Sequence, residues 1–192
     1  KPPRKAVLFR KTTETEVFCE LLFNNLGEAK ISTSVRFLDH LLEQLAKHSG
    51  ISIDLKATGD IDVDTHHTIE DTAIVLGETL KKALGDKCGI RRFGFVLPMD
   101  EAQAQVSIDL SGRAYCKFEG AFQSPFIGDV PTEMIEHFFQ SLSLSLGAAI
   151  HIIVSGSNTH HMIEACFKSF AHALKQAISK SSNTIPSTKG VL

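Results

Sequence analysis

Two five-residue segments, His66-His67-Thr68-Ile69-Glu70 and His160-His161-Met162-Ile163-Glu164, share the pattern H-H-x-x-E, and residue 160 follows residue 66 by 94 positions. Each opens an apolar-periodic stretch, so each His pair and its Glu fall within one helical turn. Imidazole nitrogens and a carboxylate oxygen gathered in one turn are the donor set of a metal centre. Neighbouring helical residues diverge by about 100°, so the two histidines of a pair are not expected to bind the same ion. The economical arrangement is two ions, each taking ligands from both copies or from neighbouring chains. A lone segment of this kind is more often a solvated helix start. Two copies at matched places, each with a further His upstream, are better explained as ligands. The set is His40, His66, His67, Glu70, His137, His160, His161 and Glu164, which gives three His and one Glu to each of two ions.

Other side chains carry weaker signals. His48, His151 and His172 lack repeat partners, and a surface or core role is their default. His48 stands out because it ends the helix that carries His40. Gln44, one turn after His40, shares its face. Lys168 follows Glu164 by one turn and faces the same cluster, or simply pairs with it. Arg92 and Arg113 flank a strand pair, and arginine forks match phosphate oxygens, although most arginines are merely solvated. Ser187 and Lys189 in the polar tail offer a hydroxyl and an ammonium to an anion. Glu14, Asp100 and Glu101 are loop carboxylates of the kind that is usually solvated.

These groups must be positioned by the elements around them. Val7–Arg10, Val17–Phe23 and Ile31–Arg36 read as strands. A helix follows over Phe37–His48, with Leu38, Leu41, Leu42 and Leu45 on one face and Ser49-Gly50 ending it. Ile51–Leu55 alternates as a strand. Asp64 or Thr65 is placed to cap a helix running from His66 to about Leu84. The second part repeats the order: strands at Phe93–Leu97, Ala104–Leu110 and Tyr115–Glu119, a turn-rich linker from Gly120 to Pro131, a helix at Glu133–Leu146, a strand at Ala149–Val154 and a helix from His160 to about Ser179. Both parts therefore read strand-strand-strand-helix-strand-helix. His137 follows His40 by 97 positions rather than 94, which a three-residue loop difference explains. Internal duplication is the simplest account. It divides the chain into repeats at 1–90 and 91–180 with a tail at 181–192.

Composition narrows the class. The chain has 192 residues, 43% of them hydrophobic, and a net charge of −2. That balance gives no sign of a nucleic-acid or membrane-surface protein. No apolar run approaches the ~18 residues that a transmembrane helix requires, and the start shows no signal-peptide pattern. Cys19, Cys88, Cys116 and Cys166 lack C-x-x-C spacing and read as reduced, mostly buried thiols of a cytoplasmic protein, or of a plastid one whose transit peptide has been removed.

The chain resembles the imidazoleglycerol-phosphate dehydratase family of histidine biosynthesis. The matching segments are Arg10-Lys11-Thr12-Thr13-Glu14-Thr15, Phe37-Leu38-Asp39-His40, His66 to Asp71, Arg92-Phe93-Gly94, Pro98-Met99-Asp100-Glu101-Ala102, Asp109 to Arg113, Glu136-His137-Phe138, His160 to Lys168 and Pro186 to Leu192. They run in the family's order along nearly the whole chain. Thr65 and Ala114 depart from its pattern without removing a ligand. The resemblance implies an α+β fold, internally duplicated, each half a four-stranded sheet backed by two helices. It implies two Mn2+ ions per active site on the eight ligands named above, and a homo-oligomer of 24 subunits with active sites shared between them. It also implies phosphate binding by Arg92, Arg113, Ser187 and Lys189 with Gln44 and His48 nearby, and a tail ordered only in the assembly or with ligand. The reaction implied is dehydration of imidazole glycerol phosphate to imidazole acetol phosphate through an imidazolate and a diazafulvene-like intermediate. Glu14 would move protons, with Lys168, Asp100 and Glu101 as second candidates for steering the hydroxyl or its proton.

From the ligands alone, two other classes stand. A dinuclear metallohydrolase would use bridging hydroxide, but such sites usually carry more carboxylates than two. A metal-storage or scaffold protein would leave Glu14 and the arginines idle.

Overall fold

The computed structural model describes residues 4–94 and 97–192, with the side chain of Leu97 left aside. The first half forms β1 (Lys5–Lys11), β2 (Thr15–Leu22), β3 (Ala29–Ser32), α1 (Arg36–Ser49), β4 (Ser52–Gly59) and α2 (His66–Leu84). Its sheet has the order β1-β2-β4-β3, with β3 parallel to β4 and the other pairs antiparallel. The second half forms β5 (Phe93–Gly94), β6 (Leu97–Met99), β7 (Ala102–Asp109), β8 (Tyr115–Glu119), a small hairpin of β9 (Phe126–Ile127) and β10 (Val130–Pro131), then α3 (Glu133–Leu146), β11 (Ala149–Ser155) and α4 (Thr159–Ile178). Here β5 and β6 share one edge of β7, and the order continues through β11 to β8, which runs parallel to β11. The two topologies are the same, so the fold is α+β and duplicated.

Alternation along the strands explains the layering. Val17, Cys19 and Leu21 on β2, and Ala104, Val106 and Ile108 on β7, turn inward and are buried, while Phe9 and Tyr115 lie exposed on the outer faces. Each inner face is covered by its own helices. The helices then pack across the halves, α1 on α4 and α2 on α3, so four helices lie between two sheets. Phe138 and Phe139 of α3 meet Phe167 and Phe170 of α4 with ring centroids 5.1 to 5.5 Å apart, and truncating such a ring costs about 3–5 kcal/mol. Burial pushes the Cys19 thiol up to about 12, which keeps it an inert core group. All four cysteines are free. Among the described residues, no helix is long and apolar enough to cross a membrane.

The two helix seams differ. In α2–α3 a Cβ on Gly77 would overlap Ser145 Oγ, so these helices lie in close contact. In α1–α4 the seam is polar. His40 faces Glu164 and His48 faces His172, both pairs 124 residues apart. The two helices therefore run in the same direction, and Gln44 stands in register with Lys168.

Several boundaries differ from the sequence reading. The third strand stops at Ser32 rather than Arg36, because Thr33 donates its N–H and its hydroxyl to Asp39 Oδ1 and Ser34 takes a positive φ of 66°. That turn starts α1 at Arg36. β4 runs on to Gly59 because β2 keeps pairing with it as far as Thr15. Pro98 and Met99, beyond the strand read as Phe93–Leu97, belong to β6 at a sheet edge, where a missing N–H is tolerated. Phe95 and Val96 of the Phe93–Leu97 strand lie outside the described residues. The β4–α2 loop does exceed its β11–α4 counterpart by three residues, 60–65 against 156–158. The tail, expected to order only in the assembly or with ligand, already packs on the body. Thr184 O accepts from Gly89 N at 2.8 Å, and Pro186 O accepts from Arg92 Nη1 at 3.1 Å.

Candidate active site

Three ligand-type side chains converge where α1 meets the start of α4. His40 Nε2 lies 2.7 Å from Glu164 Oε1, and His160 Nε2 lies 3.3 Å from Glu164 Oε2. Donor atoms of all three lie within 4.8 Å of one another. Glu164 is only 5% exposed. Burial disfavours its charge, but the hydrogen bond from His40 and the positive charges of Lys168 and His160 outweigh this, so its carboxyl sits below the ordinary range. A buried ionised carboxylate facing two imidazole nitrogens is a donor set that fits a divalent first-row ion.

The same arrangement recurs across the duplication in a more open form. His66 Nε2 lies 3.1 Å from Glu70 Oε2, and the His66 and His137 rings are 5.4 Å apart. Each group therefore draws one His from one half and a His with its Glu from the other. The structure brings together two histidines and one glutamate at each place.

His67 and His161, the remaining members of the pairs, turn away from these groups. His67 Nδ1 lies 2.9 Å from Asp60 Oδ2 and 3.5 Å from Glu14 Oε2. His161 Nδ1 lies 2.8 Å from Glu101 Oε2. The hydrogen bond to Asp60, then the charge of Glu14, raises the His67 pKa, and the hydrogen bond to Glu101 raises that of His161. A carboxylate on Nδ1 fixes the tautomer that leaves Nε2 free to bind a metal. Glu101 is fully engaged, since its other oxygen accepts from Asn158 N at 3.0 Å. Among the described residues, the half-exposed Glu14 carboxylate has only the 3.5 Å contact to His67.

Local sequence explains how the helix starts are set. Asp64 Oδ1 accepts from His66 N at 2.9 Å, while the Thr65 side chain makes no capping bond. Asn158 Oδ1 accepts from His161 N at 3.1 Å and caps α4.

An open cavity of about 420 Å³ is lined by Arg92, Arg113, Ser187, Thr188 and Lys189. Arg92 is bound to Asp109 through Nε at 2.5 Å and Nη2 at 3.0 Å, so it also anchors the cavity wall. Beneath the Ser111-Gly112-Arg113 turn, Lys87 is 4% exposed and donates from Nζ to Leu110 O at 3.2 Å. Burial lowers its pKa. The cavity lies near the end of α4, because Arg92 N donates to Ala177 O at 2.9 Å.

The remaining sequence candidates fall as follows. Gln44 is half-buried on the α1–α4 seam, and Lys168 Nζ lies 3.6 Å from Met99 Sδ there. His48 Nδ1 is 3.0 Å from His172 Nε2, so His172, given a default role from sequence, is its direct partner. Asp100 sits exposed in the β6–β7 turn with φ of 50° and acts on His161 only through its charge. Asp60, Asp109, Lys87 and Asp71 were not singled out from sequence. Asp60 alone carried a signal, since it sits in an acid-rich loop with Asp62 and Asp64 just before the His pair.

Comparison with known proteins identifies the family. The family described as imidazoleglycerol-phosphate dehydratase matches residues 33–174. The histidine biosynthesis bifunctional protein HisB of Legionella pneumophila is 56% identical over 189 residues, covering 98% of this chain and 54% of that protein. The chain thus spans about half the length of that relative. The imidazoleglycerol-phosphate dehydratase of Chloroherpeton thalassium is 52% identical over 193 residues, with 100% of both chains covered. Among solved structures, that of imidazoleglycerol-phosphate dehydratase from Staphylococcus aureus superposes with a TM-score of 0.83 at 34% identity, covering 92% of this chain and 99% of that one. IGPD from Pyrococcus furiosus superposes with a TM-score of 0.85 at 35% identity, covering 96% and 100%. Sequence and fold agree, and the chain belongs to the imidazoleglycerol-phosphate dehydratase family.

Proposed function

We propose that this chain dehydrates D-erythro-imidazole glycerol phosphate to imidazole acetol phosphate in L-histidine biosynthesis. The carrying observation is the convergence of His40, His160 and Glu164, with its duplicate at His66, Glu70 and His137. These donors suit two divalent cations, manganese by the family resemblance. When bound, the cations supply Lewis acidity that favours the deprotonated imidazole ring of the substrate. The ring's electrons expel the neighbouring hydroxyl, the diazafulvene-like species loses its carbon proton, and the enol becomes the ketone. Glu14, whose carboxylate makes only the long 3.5 Å contact to His67 among the described residues, is the group that moves protons. Asp60 and Glu101 hold His67 and His161 in the tautomer that offers Nε2. Gln44, His48 and Lys168 line the seam beside the ligands, where Lys168 can meet the leaving hydroxyl. Arg92, Arg113, Ser187 and Lys189 hold the phosphate.

One dimension supports sites shared between subunits. The ligands sit at the start of α4 and the phosphate cavity near Ala177, a separation of about 26 Å at 1.5 Å per helical residue. A three-carbon phosphate cannot bridge that span. The ring and the phosphate of one substrate are therefore held by different chains, and His67 and His161, turned outward, complete ligand sets on neighbouring copies. A closed assembly of 24 subunits is the arrangement proposed.

The test is product formation from imidazole glycerol phosphate by chelator-stripped protein with and without added manganese. Acetol phosphate formed only on restoring metal is the expected result. No turnover with two ions still taken up per chain would overturn the dehydratase reading and leave a storage or hydrolytic one.

A further inference from the structure

The two halves differ in chemistry at the corner where each tip hairpin meets its second helix. In the first half Thr15 and Asp71 are both buried. Thr15 Oγ1 donates to Asp71 Oδ2 at 2.5 Å. Arg10 Nη1 stands 3.1 Å from Asp71 Oδ1, an ion pair without the alignment of a hydrogen bond. Thr15 pairs with Gly59 of β4, and a Cβ on Gly59 would overlap Thr68 Oγ1 and lie 3.1 Å from Thr15 Cγ2. The corner is filled and polar.

The same corner in the second half is filled and apolar. Strand β7 places Ala102 where β2 places Thr15. The H-H-x-x-E alignment sets Met162 against Thr68 and Ala165 against Asp71. A Cβ on Gly156 would lie 2.9 Å from both Ala102 Cβ and Met162 Cγ, so Gly156 repeats Gly59. Ala102, Met162 and Ala165 are all buried. This fold therefore closes the corner without any carboxylate. Burying a charged pair is rarely better for stability than apolar side chains of similar size. The polar version answers a need that the second half lacks.

That need is at the hairpin tip. Glu14 precedes Thr15, and among the described residues its carboxylate makes only a 3.5 Å contact to His67, whereas Glu101, which precedes Ala102, spends both oxygens on His161 and Asn158. The Glu14 backbone is already fixed on two sides. Its N–H donates to Thr12 Oγ1 at 3.2 Å, and its carbonyl accepts from Asp60 N at 3.2 Å. The Thr15–Asp71 bond adds a third tie. Asp71 follows Glu70 directly, so the tie runs to the helical turn that carries His66, His67 and Glu70.

We propose that Asp71 is a positioning residue which, through the Thr15 hydroxyl, clamps the Glu14 hairpin to the ligand-bearing turn of α2. The clamp sets the distance from the Glu14 carboxylate to a substrate held by those ligands. This rests on the reading of Glu14 as the proton-transfer group. A misplacement of about 1 Å in such a group can cost about 10²-fold in rate.

The experiment measures kcat, KM, bound manganese and thermal midpoint for Asp71→Asn, Thr15→Val and Thr15→Ser in the assembled, manganese-loaded protein, with Glu14→Gln as reference. The expected result is a fall of roughly 10- to 100-fold in kcat for Asp71→Asn and Thr15→Val, with KM and metal content near wild type. Thr15→Ser keeps the hydroxyl and retains the rate. If Asp71→Asn does not assemble, Thr15→Val decides, since it removes one hydroxyl and little volume. Wild-type kcat in Thr15→Val overturns the clamp, as does a loss that follows metal content or thermal midpoint. An inert Glu14→Gln beside an unimpaired Thr15→Val sinks the clamp alone, whereas a fully active Glu14→Gln sinks the reading beneath it as well.

Discussion

Glu14 and Glu101 stand at the same place in the two halves, each just before the strand that crosses the centre of its sheet, yet only Glu101 is consumed in holding a histidine. In the first half that duty falls to Asp60, which the longer β4–α2 loop supplies. Duplication and one loop difference thus leave the Glu14 carboxylate outside that duty. Glu14→Gln is expected to lower kcat by about 10²- to 10⁴-fold, the usual contribution of general acid–base catalysis, with both ions retained. Glu101→Gln is expected to act on metal affinity first, through His161. Steady-state rates beside metal analysis of both variants check this. The reverse pattern would assign the proton-transfer role to the second half.

Asp60→Asn probes the same division of labour from the other side. It leaves His67 Nδ1 without an ionised acceptor, and Glu14, 3.5 Å away, is the nearest replacement. Loss of a carboxylate that orients a ligating histidine typically costs 10- to 100-fold in metal affinity. The variant is expected to bind manganese more weakly by about that factor and to turn over slowly even at saturating metal, because Glu14 is diverted. Titration of metal against activity separates the two effects. Full activity at high manganese would show that Glu14 stays free.

The ligand helices were legible because local signals and tertiary context agree there. α3 falls on the bounds read from periodicity, and α2 starts at the His pair. The divergence of adjacent helical residues anticipated that His67 and His161 would leave their partners' clusters. What sequence hid was the equivalence of the hairpins. Thr15 and Ala102 are offset by 87 positions, whereas the helices α1 and α3, starting at 36 and 133, are offset by 97. The β9–β10 segment enters between them, so aligning the chain on its His motifs pairs the wrong tips. Carboxylates that orient side chains across such breaks, Asp60 and Asp109 among them, depend on contacts that no periodicity encodes. Pro98 in a strand was hidden for a related reason, since an edge position excuses it only once the sheet is known.

The tail and the ligands should separate experimentally, since they sit at opposite ends of α4. Truncation after Thr184 removes Ser187 and Lys189 from the cavity and Pro186 O from Arg92. A rise in KM of at least about tenfold is expected, as each lost charge-assisted contact is worth about 1.5–3 kcal/mol. Metal stoichiometry should stay the same. Arg113→Ala should raise KM in the same direction while leaving Arg92 bound to Asp109. An unchanged KM in both variants would move the phosphate elsewhere.

The His48–His172 pair predicts an acid limit to stability. Burial, then the neighbouring His172 and Lys168, lowers the His48 pKa, and burial, then Lys175, lowers that of His172. Two facing nitrogens 3.0 Å apart have room for one hydrogen between them, so the geometry resists charging both rings, and burial disfavours charging either. The unfolded chain titrates these groups near the ordinary value of about 6.5, above their folded values. As pH falls through that point the unfolded state takes up protons first, and stability declines until the folded pair also titrates. His67 and His161, whose pKa values are raised, contribute the other way and lose their stabilising effect as pH rises. His172→Gln removes one depressed group and relieves the other. Its thermal midpoint should fall less than that of wild type between pH 7.5 and 5.5 in the same buffer and metal. Parallel curves for the two proteins would mean that the pair titrates alike in the folded and unfolded states.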